Sequence, residues 1–168
     1  AARNVREYLG MTVSFMHHDS GTAASGAGMA TKKRQAASAP ARLRRMYIDC
    51  RYGQMHLTTA YPASGGFDEA SPIVFLHGED GSGADFSRCA AILGTDRSVY
   101  APDLPGSGGS DSPKGRMAIA GLALAVADLF EQLRLRRVDL VGCGRGAAVG
   151  VGSADANVDW HFDPVHQR

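Results

Sequence analysis

Three short apolar runs, separated by longer stretches of mixed composition, predict the centre of the fold. The run at 72–77 is continuously apolar up to its final histidine, and 98–101 and 137–141 are shorter examples of the same pattern. Strands of a parallel sheet are covered on both faces, so their sequences are apolar throughout instead of alternating. We therefore predict that these three segments are adjacent parallel strands.

Segments with helical character lie between these runs. Residues 84–93 have the composition of a helix, and apolar residues recur at steps of three and four across 119–133, which predicts a helix packed on one face of the sheet. Upstream, the β-prone runs 46–52 and 54–61 are separated by Gly53 and predict an antiparallel hairpin. Alternating strands and helices imply an open, mostly parallel α/β sheet with right-handed crossovers and flanking helices.

Both ends of the chain lack these patterns. Residues 1–40 contain a stretch of small residues at 20–28 and a basic triplet at 32–34, and we expect a disordered lead-in. Residues 151–168 follow a glycine-containing segment, carry no buried strand, and are expected to be an unrelated, disordered tail. The predicted folded domain spans 44–150.

Composition and charge narrow the classes of function. With 44% hydrophobic residues, 21% charged residues and a net charge of +1, the chain has a globular balance and no large field that would attract nucleic acid or a membrane surface. Cys50, Cys89 and Cys143 are odd in number and not in metal-ligand spacing, which favours reduced thiols, no metal site and a cytoplasmic location. No apolar run is long enough to span a membrane. We expect no cofactor and a small-molecule ligand at most.

Glycine-rich loops follow all three predicted buried strands. They are His77–Gly83, Asp103–Asp111 and Gly142–Gly146. In an open parallel sheet, ligands bind at the carboxyl ends of the strands. The first loop leads into a helix whose free N–H groups can face developing negative charge, and the third is a sharp strand-to-helix turn with small flanking residues. We therefore predict that the functional site lies where these loops meet.

Taken in chain order, these loops resemble the α/β-hydrolase superfamily. The second loop is similar to the corresponding loop of esterases and epoxide hydrolases, with Ser110 or Asp111 at its final motif position and one extra glycine near Gly109. The resemblance covers 44–150 and implies the N-terminal half of that fold, with ester-like or other small carbonyl substrates. The motif residues are His77, Gly78, Asp103, Gly106, Gly108, Gly142 and Gly146.

The same resemblance locates the nucleophile position and finds it without a reactive group. The superfamily motif Gly-x-Ser-x-Gly places Gly144 at the serine, and glycine offers no hydroxyl, thiol or carboxylate. Cys143 would substitute only after a shift of one residue, which would put Val141 and Arg145 at the small flanking positions. We interpret Cys143 as a small buried thiol and predict that no catalytic residue can be assigned.

Other parts of the catalytic machinery are implied by the resemblance alone. The backbone N–H groups of Glu79 and Arg145 would form an oxyanion hole, which survives any change of side chain, and His77 would shape its loop. The acid and the histidine would follow the nucleophile in chain order, but few residues follow Gly146. We expect a truncated or frameshifted chain, without enzymatic activity and with an exposed apolar edge on the third buried strand.

Two other classes of function stay open. The segment 138–146 also resembles the first motif of S-adenosylmethionine-dependent methyltransferases, and Gly142-x-Gly-x-x-Ala147 meets the weak dinucleotide pattern. Asp155, the acidic residue available for a ribose hydroxyl, comes early for the usual interval of about 20 residues. The second class is a non-catalytic relative of the hydrolases that binds a ligand or partner. Neither the substrate nor the oligomeric state is predicted.

Overall fold

The computed structural model of the chain describes residues 14–16, 39–64 and 70–156. The strands are β1 Ser14–Met16, β2 Arg44–Cys50, β3 Gly53–Ala60, β4 Ile73–Leu76, β5 Val99–Pro102 and β6 Asp139–Gly142. The helices are a 3₁₀ turn at Gly83–Phe86, α1 Ser87–Leu93, α2 Ile119–Gln132 and α3 Arg145–Ala156.

The three predicted buried strands lie side by side and are parallel. The sheet order is β1-β6-β4-β5-β3-β2, and β4 pairs in parallel with β5 and with β6. Ile73 lies opposite Val99 on one side and Asp139 on the other. This arrangement confirms the predicted α/β architecture and brings the three glycine-rich loops to one edge of the sheet.

The predicted hairpin is also confirmed, and it makes the sheet mixed. Cys50 pairs with Gly53, so the two-residue turn is Arg51–Tyr52 and Gly53 is the first residue of β3, with φ of +114°. β3 then pairs antiparallel with β5, and β1 pairs antiparallel with β6. Among the described strands the parallel pairings are therefore confined to the centre of the sheet.

Alternate residues of the central strand supply two separate cores. Val74 and Leu76 join the core that contains the buried face of α2, whereas Ile73 and Phe75 join the core on the opposite face of the sheet. On that second face Phe75 stacks on Phe86 with ring centroids 4.8 Å apart. A strand covered on both faces has to be apolar at every position, which explains the unbroken apolar run in the sequence.

Helix α2 follows from its apolar period and ends in a recognisable cap. Its buried residues include Leu122, Val126 and Leu129, which recur every three or four residues along one face. Beyond the helix Arg134 adopts φ of +53°, and the N–H of Leu135 donates to the carbonyl of Phe130 at 2.8 Å. This six-to-one bond is the Schellman motif that closes many helices.

At both ends of the chain, described elements lie outside the predicted domain bounds 44–150. Within the expected lead-in 1–40, β1 pairs with the outer side of β6, from Ser14 opposite Gly142 to Met16 opposite Leu140, so the edge expected to be exposed is occupied. The expected boundary at residue 150 falls inside α3, which continues to Ala156 because glycine weakens a helix without ending one. The remaining expectations, for 1–13, 17–38 and 157–168, concern residues outside those that the structure describes.

The described residues also bear on membranes and metals. In this part of the chain every helix is too short or too polar to cross a lipid bilayer. The same residues contain no group of three or more His, Cys, Asp or Glu side chains placed to hold a metal ion.

Candidate functional site

A cleft of about 650 Å³ lies at the carboxyl ends of the central strands, where the sequence predicted the site. The first loop contributes residues 77–81, the second contributes 104–108, and the third contributes Arg145. The segment that precedes α2 closes the remaining side with Arg116 and Met117. All three predicted loops therefore meet at one concave surface.

The third loop is a tight elbow between β6 and α3. The chain turns through Gly144, whose φ is +52°, in the left-handed region that favours glycine. The N–H of Gly146 donates to the carbonyl of Cys143 at 2.9 Å, and the N–H of Ala147 donates to the carbonyl of Gly144 at 3.1 Å. These bonds close the turn and begin the helix immediately after it.

The three glycines of the elbow are required for different reasons. A side chain on Gly142 would place its Cβ 2.6 Å from the backbone nitrogen of Ala147, and one on Gly146 would collide with the backbone carbonyl of Leu76. At Gly144 the nearest atom to an added Cβ is the Cα of Gly78, at 3.9 Å. The flanks therefore need glycine for space, while the apex has room for a side chain that the sequence does not supply.

Cys143 lies beside this apex but in a different environment. Its side chain packs against the core that contains Phe75 and Val141, and it does not belong to the described lining of the cleft. Burial raises the pKa of the Cys143 thiol, and the negative charge of Asp85 raises it further. Because the thiolate is the nucleophile, a raised pKa disfavours attack. This placement supports the buried-thiol interpretation, which stays a prediction.

His77 joins the first loop to the second through both of its ring nitrogens. Nδ1 donates to the carbonyl of Gly78 at 2.8 Å, and Nε2 accepts the N–H of Leu104 at 2.9 Å. A carbonyl can only accept and an amide N–H can only donate, so these partners fix the tautomer of the neutral ring. With both nitrogens engaged and the side chain buried, His77 has no lone pair with which to abstract a proton.

Asp103 ties three parts of the site together. Its Oδ1 accepts the N–H of Gly83 at 2.7 Å, and its Oδ2 accepts the N–H of Gly109 at 2.7 Å. The same Oδ2 lies 2.9 Å from Nδ1 of His56 on β3. A buried carboxylate needs several donors, and this one finds them in both loops and in the sheet. The predicted motif residue is therefore a scaffold residue.

Two further motif glycines shape the second loop around this carboxylate. Gly108 has φ of +54°, and a Cβ there would collide with the carboxyl group of Asp103. Gly106 has φ of +87° and open space around it, so only its backbone conformation favours glycine. Both positions allow the loop to fold back over Asp103.

Ser110 and Asp111 are hydrogen-bonded to β3 and are not among the residues that line the cleft. The Ser110 hydroxyl donates to the Asp103 carbonyl at 2.6 Å and accepts the N–H of His56 at 2.9 Å. The Asp111 N–H donates to the carbonyl of Gln54 at 2.9 Å, and its carboxylate accepts the Gln54 N–H at 2.8 Å. The end of the second loop is thus held against β3.

The two residues expected to form the oxyanion hole both line the cleft. Between the residues that the structure describes, neither the Glu79 N–H nor the Arg145 N–H enters a hydrogen bond. Their side chains hold the same neighbouring segment, because the Glu79 carboxylate pairs with the guanidinium of Arg116 and the Arg145 guanidinium donates to the carbonyl of Met117. Arg116 and Met117 were not predicted from the sequence, since no local pattern marks such long-range contacts.

Comparison with known proteins agrees with this geometry. The family model for the alpha/beta hydrolase fold matches residues 71–151, which run from just before β4 into α3. The chain carries part of an α/β-hydrolase domain. In its matched region this domain contains the cleft loops, the elbow and both expected oxyanion residues.

Solved α/β-hydrolase structures resemble the chain over most of its length. The epoxide hydrolase CorEH is 26% identical, with a TM-score of 0.62, over 70% of this chain and 39% of that protein. The haloalkane dehalogenase DatA from Agrobacterium tumefaciens C58 is 28% identical, with a TM-score of 0.60, over 70% of this chain and 38% of its own.

Curated relatives match a shorter region. A probable alcohol acetyltransferase of Cyberlindnera jadinii is 38% identical over 82 residues, which are 48% of this chain and 23% of that protein. The chain therefore spans about a quarter of the length of the curated relatives that it matches, with 23% of each covered.

Proposed function

We propose that this chain is a catalytically silent α/β-hydrolase domain whose cleft binds ester-like or other small carbonyl compounds without cleaving them. The observation that carries the proposal is Gly144, which stands at the apex of a well-formed elbow. Its neighbours leave room for a side chain, and glycine supplies no attacking atom. The elbow is therefore built as a nucleophile position that lacks a nucleophile.

The nearby side chains do not replace the missing serine. Burial raises the pKa of the Cys143 thiol, and the thiol lies in the core beside the elbow. Of the histidines that the structure describes, His77 has both ring nitrogens engaged and His56 contacts Asp103 through Nδ1. Nucleophilic catalysis needs a nucleophile and a base within hydrogen-bond reach of each other, and no described pair meets that requirement at the cleft.

The capacity to bind a carbonyl group rests on the backbone. Glu79 and Arg145 line the cleft, and the backbone donors that we assign to the oxyanion hole persist whatever side chain occupies position 144. Leu104, Met117 and Leu122 supply apolar surface beside them for an acyl or alkyl group. A cleft with a few polar donors and apolar walls is the usual form of a small-molecule site.

The names of the similar proteins do not indicate a narrower class of ligand. Their names describe an epoxide hydrolase, a haloalkane dehalogenase and a probable alcohol acetyltransferase, which act on different compounds. The shared feature is the fold around the cleft, so the proposal extends to ester-like and small carbonyl compounds as a class and to no single substrate.

Hydrolysis of p-nitrophenyl acetate by the purified chain tests the catalytic part of the proposal. We expect the rate to equal the buffer background, and Cys143→Ala to leave it unchanged. We also expect Gly144→Ser to create no useful enzyme, because a hydroxyl without a positioned base keeps its high pKa and attacks slowly. If the unmodified chain hydrolysed the ester and Cys143→Ala abolished this activity, the thiol would be the nucleophile. Our alignment of the elbow with the superfamily motif would then be wrong.

Calorimetry separates this proposal from the cofactor-binding interpretation of Gly142–Gly146. Titration with S-adenosylmethionine and with NAD should give only the heat of dilution. Saturable binding of either cofactor would favour the methyltransferase-like or dinucleotide-binding alternative and would contradict the proposed function.

A further inference from the structure

The residue that follows the empty apex carries a positive charge into the cleft. Arg145 is partly buried and lines the cleft, and its guanidinium donates to the carbonyl of Met117. In the part of the chain that the structure describes, no carboxylate lies close enough to form an ion pair with it. Arg145 is therefore held in place by a neutral group, and no described carboxylate offsets its positive charge through an ion pair.

The other charged residues around the cleft do not neutralise Arg145. Glu79 and Arg116 pair with each other, and both side chains are largely exposed. Asp80 also lines the cleft and is exposed to solvent. Water and salt screen exposed charges strongly, with a screening length of about 10 Å at 0.1 M salt, and they screen partly buried charges much less. The charge of the partly buried Arg145 is therefore screened less than the charges of the exposed residues beside it.

The apex next to Arg145 in the chain leaves room for a ligand group. Apart from its two chain neighbours, an added Cβ at Gly144 would have only the Cα of Gly78 within 4 Å. A guanidinium presents five N–H donors in a planar fork, and donation to Met117 leaves others available. This fork matches the geometry of a carboxylate, which can accept two parallel hydrogen bonds from it.

We propose that the cleft selects carbonyl ligands that also carry a carboxylate, with Arg145 as the residue that determines this specificity. The inference rests on the proposed function and names its ligand class. The ligand carbonyl would face the N–H groups of Glu79 and Arg145, and its carboxylate would bind the Arg145 guanidinium. Half-esters of small dicarboxylic acids carry both groups.

Binding of a matched pair of esters tests this inference. Monomethyl succinate carries one carboxylate at neutral pH, and dimethyl succinate has the same chain without a charge. In an NMR titration of the ¹⁵N-labelled chain, we expect the half-ester to bind about tenfold more tightly, as one charge-assisted contact of this kind provides. The preference should fall as salt rises from about 20 mM to about 500 mM, because screening weakens a charge–charge interaction.

Two arginine variants locate the selectivity. Arg145→Gln should bind both esters with the affinity of the diester, whereas Arg145→Lys should keep part of the preference. The matched control is Arg136→Gln, which removes the same charge from an exposed residue just before β6, at the opposite end of that strand from the cleft. The control should retain the full preference.

The outcomes separate this inference from the proposed function. Equal affinities for the two esters, independent of salt, would overturn the charge selectivity and leave carbonyl binding intact. Failure of both esters to bind would overturn the proposed function itself. If Arg145→Gln does not fold, the salt dependence of the unmodified chain and the Arg145→Lys result still decide the question.

Discussion

At the scale of single residues, the glycines of the elbow differ in what they tolerate. Gly146→Ala would drive a methyl group into the carbonyls of Leu76 and His77, which the sheet holds in place, and we expect a loss of about 3 kcal/mol in the free energy of unfolding. The methyl group of Gly144→Ala has room, so only the positive φ is unfavourable, and we expect a loss of about 1 kcal/mol in the free energy of unfolding. Urea unfolding of the two variants measures the difference, and equal losses would contradict the assigned elbow geometry.

Asp103 shows what single residues of a sequence can and cannot reveal. Its place in the loop motif was evident from the spacing of aspartate, proline and glycines, and in the structure its carboxylate joins the first loop to the second. Its partners were not evident, because His56 and Gly83 lie far away in sequence and neither belongs to a local pattern with it. Hydrogen bonds between distant loops depend on the whole fold and produce no periodic pattern in the sequence.

At the scale of elements, α3 offers a stabilising substitution. A Cβ added at Gly150 would make only an ordinary contact with Leu76 Cδ1, at 3.5 Å. We expect Gly150→Ala to raise the free energy of unfolding by about 0.5–1 kcal/mol, because alanine loses less backbone entropy in a helix. Gly152→Ala is the control. Its Cβ would lie 3.2 Å from that of Ala123, so this substitution should raise the free energy of unfolding by less. A larger gain at Gly152 would contradict this packing.

The hairpin is attached to α2 by an ion pair that responds to acid. The Asp128 carboxylate accepts the Arg51 backbone N–H at 2.9 Å and the guanidinium Nη2 at 2.7 Å, and the Arg51 hydrogen bonds lower the pKa of Asp128. Because this pKa is lower in the folded than in the unfolded chain, the ionised carboxylate stabilises the fold at pH values above the unfolded pKa of about 3.9. This stabilisation is lost as the pH falls through the folded-state pKa.

This linkage predicts how the stability of a variant depends on pH. Asp128→Asn should unfold more easily in urea than the unmodified chain at neutral pH, and the difference should shrink as the pH falls below about 4. Glu131→Gln is the control on the same helix and should follow the unmodified chain at every pH, since Glu131 is exposed. A difference for Asp128→Asn that did not change with pH would argue against the ion pair.

The sequence predicted the buried central elements well and the elements near the ends of the chain poorly. The apolar run of β4 and the stripe of α2 are confirmed because burial imposes those patterns directly. β1 was not predicted because three residues are too few to show a period, and they are paired by the outer side of β6. α3 continues past the predicted domain bound at residue 150, because Gly150 and Gly152 lower helix propensity without overriding packing.

At the scale of the whole molecule, stability should be highest at the centre of the sheet. β4 lies between β6 and β5, and its side chains are buried in the cores on both faces, whereas β2 is the outermost strand next to β3 and exposes 55% of Tyr47. In native-state hydrogen exchange we expect the amides of β4 to be the slowest and those of β2 to exchange faster. Slower exchange in β2 than in β4 would contradict this arrangement.

The predicted resemblance to the α/β hydrolases is confirmed because the order of loops along the chain carries more information than any one loop. Each glycine-rich loop alone fits several folds, yet the three in series with ordinary spacings fit the α/β hydrolases, and the family match over 71–151 agrees. The order of the loops did not predict the contacts that Arg116 and Arg145 make across the cleft. They depend on where the segment before α2 lies, which no motif specifies.

A single NMR experiment tests most directly the claim that the cleft binds a carbonyl ligand and does not cleave it. The ¹⁵N-labelled chain is incubated with excess monomethyl succinate, while amide shifts and the methyl ester signal are followed in the same tube. We expect the amides of Glu79 and Arg145 to shift most and the ester to disappear no faster than in buffer. Faster loss of the ester in the presence of the chain, or shifts confined to residues away from the cleft, would contradict it.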